Sequence, residues 1–162
     1  MRQSTFARGL LVLMAALFVR CATTREEIPA GDARVRYIDL AHNLELSLAS
    51  ESMEPFRSQR ENGTLPRGLK LIPNDQIAGL LGFMRSQKFW EYAANISPDD
   101  PGVRGKTKGL IVLETGGETL TFAFASNPGN NPSLGLRADN FVAIKKRIIE
   151  VFEETTQFSG VR

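Results

Sequence analysis

The run Leu110-Ile111-Val112-Leu113-Glu114-Thr115-Gly116-Gly117-Glu118-Thr119-Leu120-Thr121-Phe122-Ala123-Phe124 decides the fold. Both arms are rich in branched and aromatic residues, which suit a pleated, half-buried surface. Thr115-Gly116-Gly117-Glu118 separates them with a Gly-Gly turn, and together the three pieces form the strongest hairpin signal in the chain.

Downstream, Ser126 to Leu136 (SNPGNNPSLGL) reads as a loop, and Asp139 or Asn140 opens a last helix. Phe141, Ile144, Ile148, Val151 and Phe152 line one face of that helix, while Lys145, Lys146, Arg147, Glu150 and Glu153 lie largely elsewhere. Upstream, Asn95 to Lys108 (NISPDDPGVRGKTK) is a loop with Pro and Gly. Before it, Ile77, Leu80, Leu81 and Met84 recur at helical spacing. Asn74 is the expected N-cap of this helix, with Asp75 favourable to its dipole. Gly79 and Gly82 lie inside it at a cost of about 1 kcal/mol each relative to Ala, which predicts close approach to a sheet or another backbone. Phe89, Trp90 and Tyr92 then form the densest aromatic cluster. It is expected to be a lid over the helix–sheet junction, or alternatively an exposed contact patch.

Gly68 to Ile72 is a short strand ending at Pro73, and Glu51 to Pro66 a polar loop or the rim of a hairpin around Asn62-Gly63. Val35 and Tyr37 alternate with Arg36, and Leu44, Leu46 and Leu48 with Glu45 and Ser47, so His42-Asn43 is expected to turn a first hairpin, the alternative being a bulge in one long strand. The order β-β-(β)-α-β-β-α predicts an α+β fold. It takes the form of an antiparallel sheet of four to five strands with two helices packed on one face. One domain is expected over residues 33–158, with a tail at 159–162. A domain of this size can bury a core without disulfides or metals.

The first 20 residues have a different character. Arg2 and Arg8 precede an apolar run from Gly9 to Val19 (GLLVLMAALFV), well short of the roughly 20 residues that span a bilayer. A basic start followed by a short apolar stretch is the layout of an export signal. Leu17-Phe18-Val19-Arg20-Cys21 resembles the end of a bacterial lipoprotein signal, whose Cys is lipidated and becomes the mature N-terminus. The resemblance covers the leader alone. It departs from the pattern at Phe18, where Leu is favoured, and at Arg20, where a small residue is required. It implies residues 1–20 as signal peptide, Cys21 as the lipidation site and 21–32 as a tether, facing the periplasm or cell exterior. Two alternatives stay open: cleavage after Thr24, releasing a soluble protein, or an uncleaved leader acting as a weak anchor.

The 162 residues carry 20 Lys+Arg against 18 Asp+Glu, but Arg2, Arg8 and Arg20 belong to the leader, which leaves 17 basic residues. A near-neutral domain argues against a nucleic-acid partner. A single Cys and a single His exclude a disulfide framework and multi-His metal sites. No nucleophile elbow, paired metal-binding His motif or phosphate loop occurs, so no catalytic residue, cofactor or metal is expected. His42 reads as a turn residue. The candidate binding loops contain Asp99, Asp100 and Arg104 in one and Asn130, Asn131 and Arg137 in the other, since loops on a rigid sheet carry most binding residues. The expected function is a lipid-anchored, non-catalytic envelope module that binds a protein or envelope component. One alternative is a hydrolase, which needs Asp99, Asp100 or Glu114 to converge with Arg104 in a pocket. A periplasmic inhibitor or chaperone-like module using the aromatic cluster is the other.

Overall fold

The computed structural model describes residues 28–54, 56–105, 107–124 and 132–158. The leader with Cys21, and Asn130 and Asn131, lie outside the described residues. A 3-10 turn at Ala30–Asp32 leads into strands β1 (Ala33–Asp39) and β2 (Leu44–Ser50). Then come helix α1 (Phe56–Glu61), strand β3 (Leu69–Ile72), helices α2 (Asn74–Ser86), α3 (Phe89–Tyr92) and α4 (Pro101–Arg104), strands β4 (Gly109–Thr115) and β5 (Glu118–Phe124), and helix α5 (Pro132–Phe158). The expected α+β architecture is present, as a five-stranded sheet in the order β3-β2-β1-β4-β5.

The decisive hairpin closes in register, Thr115 opposite Glu118 and Gly109 opposite Phe124. Gly116 and Gly117 take φ of +52° and +85°, the left-handed pair that a two-residue hairpin turn requires. The first hairpin turns at Leu40–Asn43, with Asn43 at φ +50°. Strand β1 is central and antiparallel to both β2 and β4.

The sheet departs from the antiparallel expectation at one place: β2 and β3 run parallel. The segment from Glu51 to Gly68, which includes α1, exceeds the dozen or so residues that a crossover needs, so the chain returns to the start of β2 before entering β3. Gly68 makes this re-entry possible. Its φ is +78°, its carbonyl accepts from Ser47 N at 2.8 Å, and a Cβ there would fall 2.5 Å from the Glu45 carbonyl oxygen.

Both long helices pack on the same sheet face, as the pattern predicts. Ile77, Leu80, Leu81 and Met84 of α2 and Phe141, Ile144, Ile148 and Val151 of α5 are buried against Val35, Tyr37, Leu48, Ile72, Ile111, Leu113, Leu120 and Phe122. At β3, Lys70 lies 3.9 Å over the Phe152 ring and donates to the Phe152 carbonyl, which ties the edge strand to α5. On the opposite face, Ile38, Leu110 and Val112 form a smaller apolar cluster beneath Leu40 and Val103 of α4.

Three local expectations are corrected. Helix α5 begins at Pro132 and not at Asp139 or Asn140: a proline at the first helical position loses no intrahelical hydrogen bond and has φ preset. Asn74 is the first residue of α2 and does not cap it. Its side chain instead accepts from Ser50 Oγ and donates to Ser52 Oγ, fastening α2 to the end of β2. Gly79 and Gly82 face open space, with no atom within 4 Å of a built Cβ, so no backbone approach explains them. Gly79→Ala and Gly82→Ala should therefore each stabilise the domain by about 1 kcal/mol, read as a higher urea midpoint with unchanged slope.

Candidate functional site

Arg34 and Arg36 lie two residues apart on β1 and so project to one side, the face that α2 and α5 leave open. The register sets Glu114 of β4 opposite Arg34 and Glu45 of β2 opposite Ile38, one step along the same face. Four charges interlock there. Arg34 donates to Ser47 Oγ at 2.7 Å and to Glu114 at 3.2 Å; Arg36 donates to Glu45 at 2.8 Å and to Glu114 at 2.7 Å. The two guanidinium side chains are only 19% and 16% exposed, and Glu114 is 26% exposed. Burial opposes the charge of Arg36, but the hydrogen bonds and Coulombic attraction of Glu45 and Glu114 outweigh it and hold its pKa above the ordinary value. Phe56 of α1 borders the grid, its ring 5.1 Å from the Arg34 guanidinium. The grid is electrically neutral and its donors are committed to one another, so it is a rigid polar platform and not an acid–base pair.

A second cluster closes the first hairpin. Asp39 Oδ1 accepts from Ala41 N and His42 N, while Oδ2 lies 3.0 Å from His42 Nδ1 and accepts from the Tyr37 hydroxyl at 3.2 Å. Lys145 of α5 sits 5.0 Å from the Tyr37 ring centroid. Burial alone would raise the Asp39 pKa, but the bonds from the His42 side chain and backbone and from Tyr37 outweigh it and pull the pKa below the ordinary value. His42, 78% exposed, is a turn residue as its sequence context implies, held by the carboxylate three residues before it.

The residues singled out in the sequence are dispersed. Asp100 caps α4 by accepting from Gly102 N at 2.7 Å. Asp99 is 77% exposed and pairs at 2.7 Å with Arg104, which also donates to the Pro98 carbonyl. These groups serve their own loop, and Glu114 belongs to the grid on the sheet, so the convergence a hydrolase site needs is not formed. Of the aromatic cluster, Phe89 is wholly buried, stacked edge-on against Trp90 and Phe122, and contributes no contact surface. Trp90 and Tyr92 are half-buried at the core margin. Arg137 reaches back from α5 to the Tyr92 carbonyl, at 3.2 Å. Among the described residues no group of three or more His, Cys, Asp or Glu side chains could hold a metal ion, and no helix is long and apolar enough to cross a membrane. A shallow cleft of about 270 Å³ is lined by Glu51, Arg57, Arg60 and Glu61, charges of both signs. No protein-family model, curated protein or solved structure matches the chain.

The grid escapes sequence reading because its members are 78 and 80 residues apart across β1 and β4. The only local signal is the alternation of Arg34 and Arg36 with buried Val35.

Glu114→Ala leaves two largely buried guanidinium groups with one carboxylate, Glu45, between them. It should cost on the order of 1–2 kcal/mol by chemical denaturation, between the values for surface and fully buried pairs, and less in an Arg36→Met background. Asp39 contributes stability in full above its unfolded-state pKa of about 3.9, and this is lost as pH falls through its lowered folded value. Asp39→Asn should therefore lower the melting temperature at pH 6 and show a smaller further loss than the native chain between pH 5 and 2.

Proposed function

We propose that the chain is an exported, lipid-anchored binding module of the bacterial cell envelope, without a catalytic role. It is attached to the membrane through Cys21 and holds the folded domain on a short tether. The observation that carries this reading is the placement of the only cysteine in the chain at the end of the apolar run Gly9–Val19. Several acyl chains on such a residue hold a protein stably where one would not. The polar segment 22–27 separates that point from the domain, whose Ile28 and Ala30 pack against the core just before β1. The domain's own chemistry supports binding over turnover: the grid on the sheet is neutral and self-satisfied, and Asp99 and Asp100 are consumed by their loop. What remains for a partner is a rigid sheet with polar loops at its rim.

Mass spectrometry of the mature chain tests the attachment. The expected N-terminal residue is Cys21 carrying a diacylglyceryl group, with the protein in the membrane fraction and Cys21→Ala moving most of it to the soluble fraction. A free N-terminus at Arg25 or an intact Met1 would overturn the lipid anchor.

A further inference from the structure

Arg137 lies in the second turn of α5, with its guanidinium carbon 5.6 Å from the Tyr92 ring centroid and 5.4 Å from that of Phe122. Its one hydrogen bond runs from Nη2 to the Tyr92 carbonyl, and its Nε is buried with no partner. Among the described residues Arg34, Arg36, Arg57, Arg104 and Arg147 each pair with a carboxylate, and of the arginines that do not, Arg60, Arg67 and Arg85 are exposed to water whereas Arg137 is partly buried. The preceding segment from Ser126 to Leu136 contains neither Asp nor Glu, and Asp139, two residues on, is exposed and at a helical spacing that does not face Arg137. A partly desolvated cation without a counter-charge is unfavourable, and the positive end of α5 adds to the same potential. An anion relieves both.

The seat also selects the kind of anion. A guanidinium lying against aromatic rings is a fixed planar fork, matched to the two oxygens of a carboxylate. Because the guanidinium already lies against Tyr92 and Phe122, the site offers a charged fork and not a free aromatic platform for a sugar. We propose that Arg137 is the docking residue for a carboxylate side chain of an acidic protein segment, with Tyr92 and Phe122 as positioning residues. This rests on the binding-module reading and names the chemistry of its partner.

The test follows the Arg137 Nε–Hε resonance of the full chain in detergent micelles while blocked peptides are added. A peptide of alternating Glu and Gly should give a saturable shift and its Gln counterpart none. Arg137→Gln should weaken binding of the Glu peptide about tenfold or more, as expected for loss of a charge-assisted contact. Arg137→Lys keeps the charge without the fork and should recover only part. Circular dichroism and the melting temperature of both variants confirm that the fold persists. No shift with the Glu peptide, an equal shift with the Gln peptide, or tighter binding of inorganic phosphate than of the Glu peptide would each overturn the assignment. Failure here leaves the lipid anchor standing, and an unlipidated chain that still answers the Glu peptide refutes the anchor alone.

Discussion

Phe122 against Phe141 is the contact on which the remaining structure depends. The two rings meet edge to face at 5.2 Å, both essentially without solvent exposure, and join the last strand to the last helix. Around them the aromatic packing extends without a break: Phe122 reaches Phe89 and Tyr92 of α3, and Phe141 reaches Tyr37 of β1 and Phe124 of β5. Edge-to-face pairs of this kind contribute about 0.5–1.5 kcal/mol each beyond the area they bury. The close approach of α5 to β4 depends on the same ring, since a Cβ at Gly109 would lie 3.3 Å from Phe141 Cζ. With α5 fixed there, Lys145 comes over Tyr37, Lys70 over Phe152 and Arg137 over Tyr92.

A sheet with two helices on one face has to account for its other face, and this protein divides the task along the strands. Towards the ends of β1 and β4 nearest α4, Ile38, Leu110 and Val112 form a small apolar layer under Val103. Farther along, Arg34, Arg36, Glu45 and Glu114 replace apolar packing with a closed set of charged hydrogen bonds. Partial burial strengthens such bonds while making each unpaired member costly, so the set favours one register of β1 against both neighbours. A one-residue slip of β1 would turn both arginines into the core. The outer edge of β5 is closed differently: Ala94 pairs with Thr121, whose hydroxyl also donates to the Ile96 carbonyl at 2.6 Å.

How much of this was legible depended on how locally each feature is encoded. The β4–β5 hairpin and the buried faces of α2 and α5 follow from the Gly-Gly turn and from 3.6-residue spacing, both contained within short windows. The parallel entry of β3 does not, because it depends on how α1 carries the chain back and on Gly68 passing the Glu45 carbonyl. The start of α5 was misplaced because the first apolar residue of the buried face, Phe141, is not where the helix begins; Pro132 is. Gly79 and Gly82 misled for another reason: a glycine in an exposed turn of helix carries the same sequence signal as one pressed against a neighbour. For the candidate site, the stretch read as a loop holds the short helix α4, with Asp100 as its cap and Arg104 as its last residue paired to Asp99, so local bonds occupy all three. Arg137 was visible only as a charge beside a polar loop, since its aromatic seat is assembled from two other elements, α3 and β5.

The two arginine environments on this small domain explain one another. Strand β1 provides its arginines with carboxylates from both neighbouring strands, so that burying them leaves no net charge to attract a partner. Helix α5 places Arg137 against the rings of Tyr92 and Phe122, and rings satisfy a guanidinium through their faces without neutralising it. Saturated charge holds the open face of the sheet, whereas the unneutralised guanidinium sits on the opposite side, at the junction of α5, α3 and β5. On the proposed reading, the difference between the sites would supply specificity: an acidic segment would gain at Arg137 and nothing at the grid, where displacing Glu45 or Glu114 would cost as much as it returned.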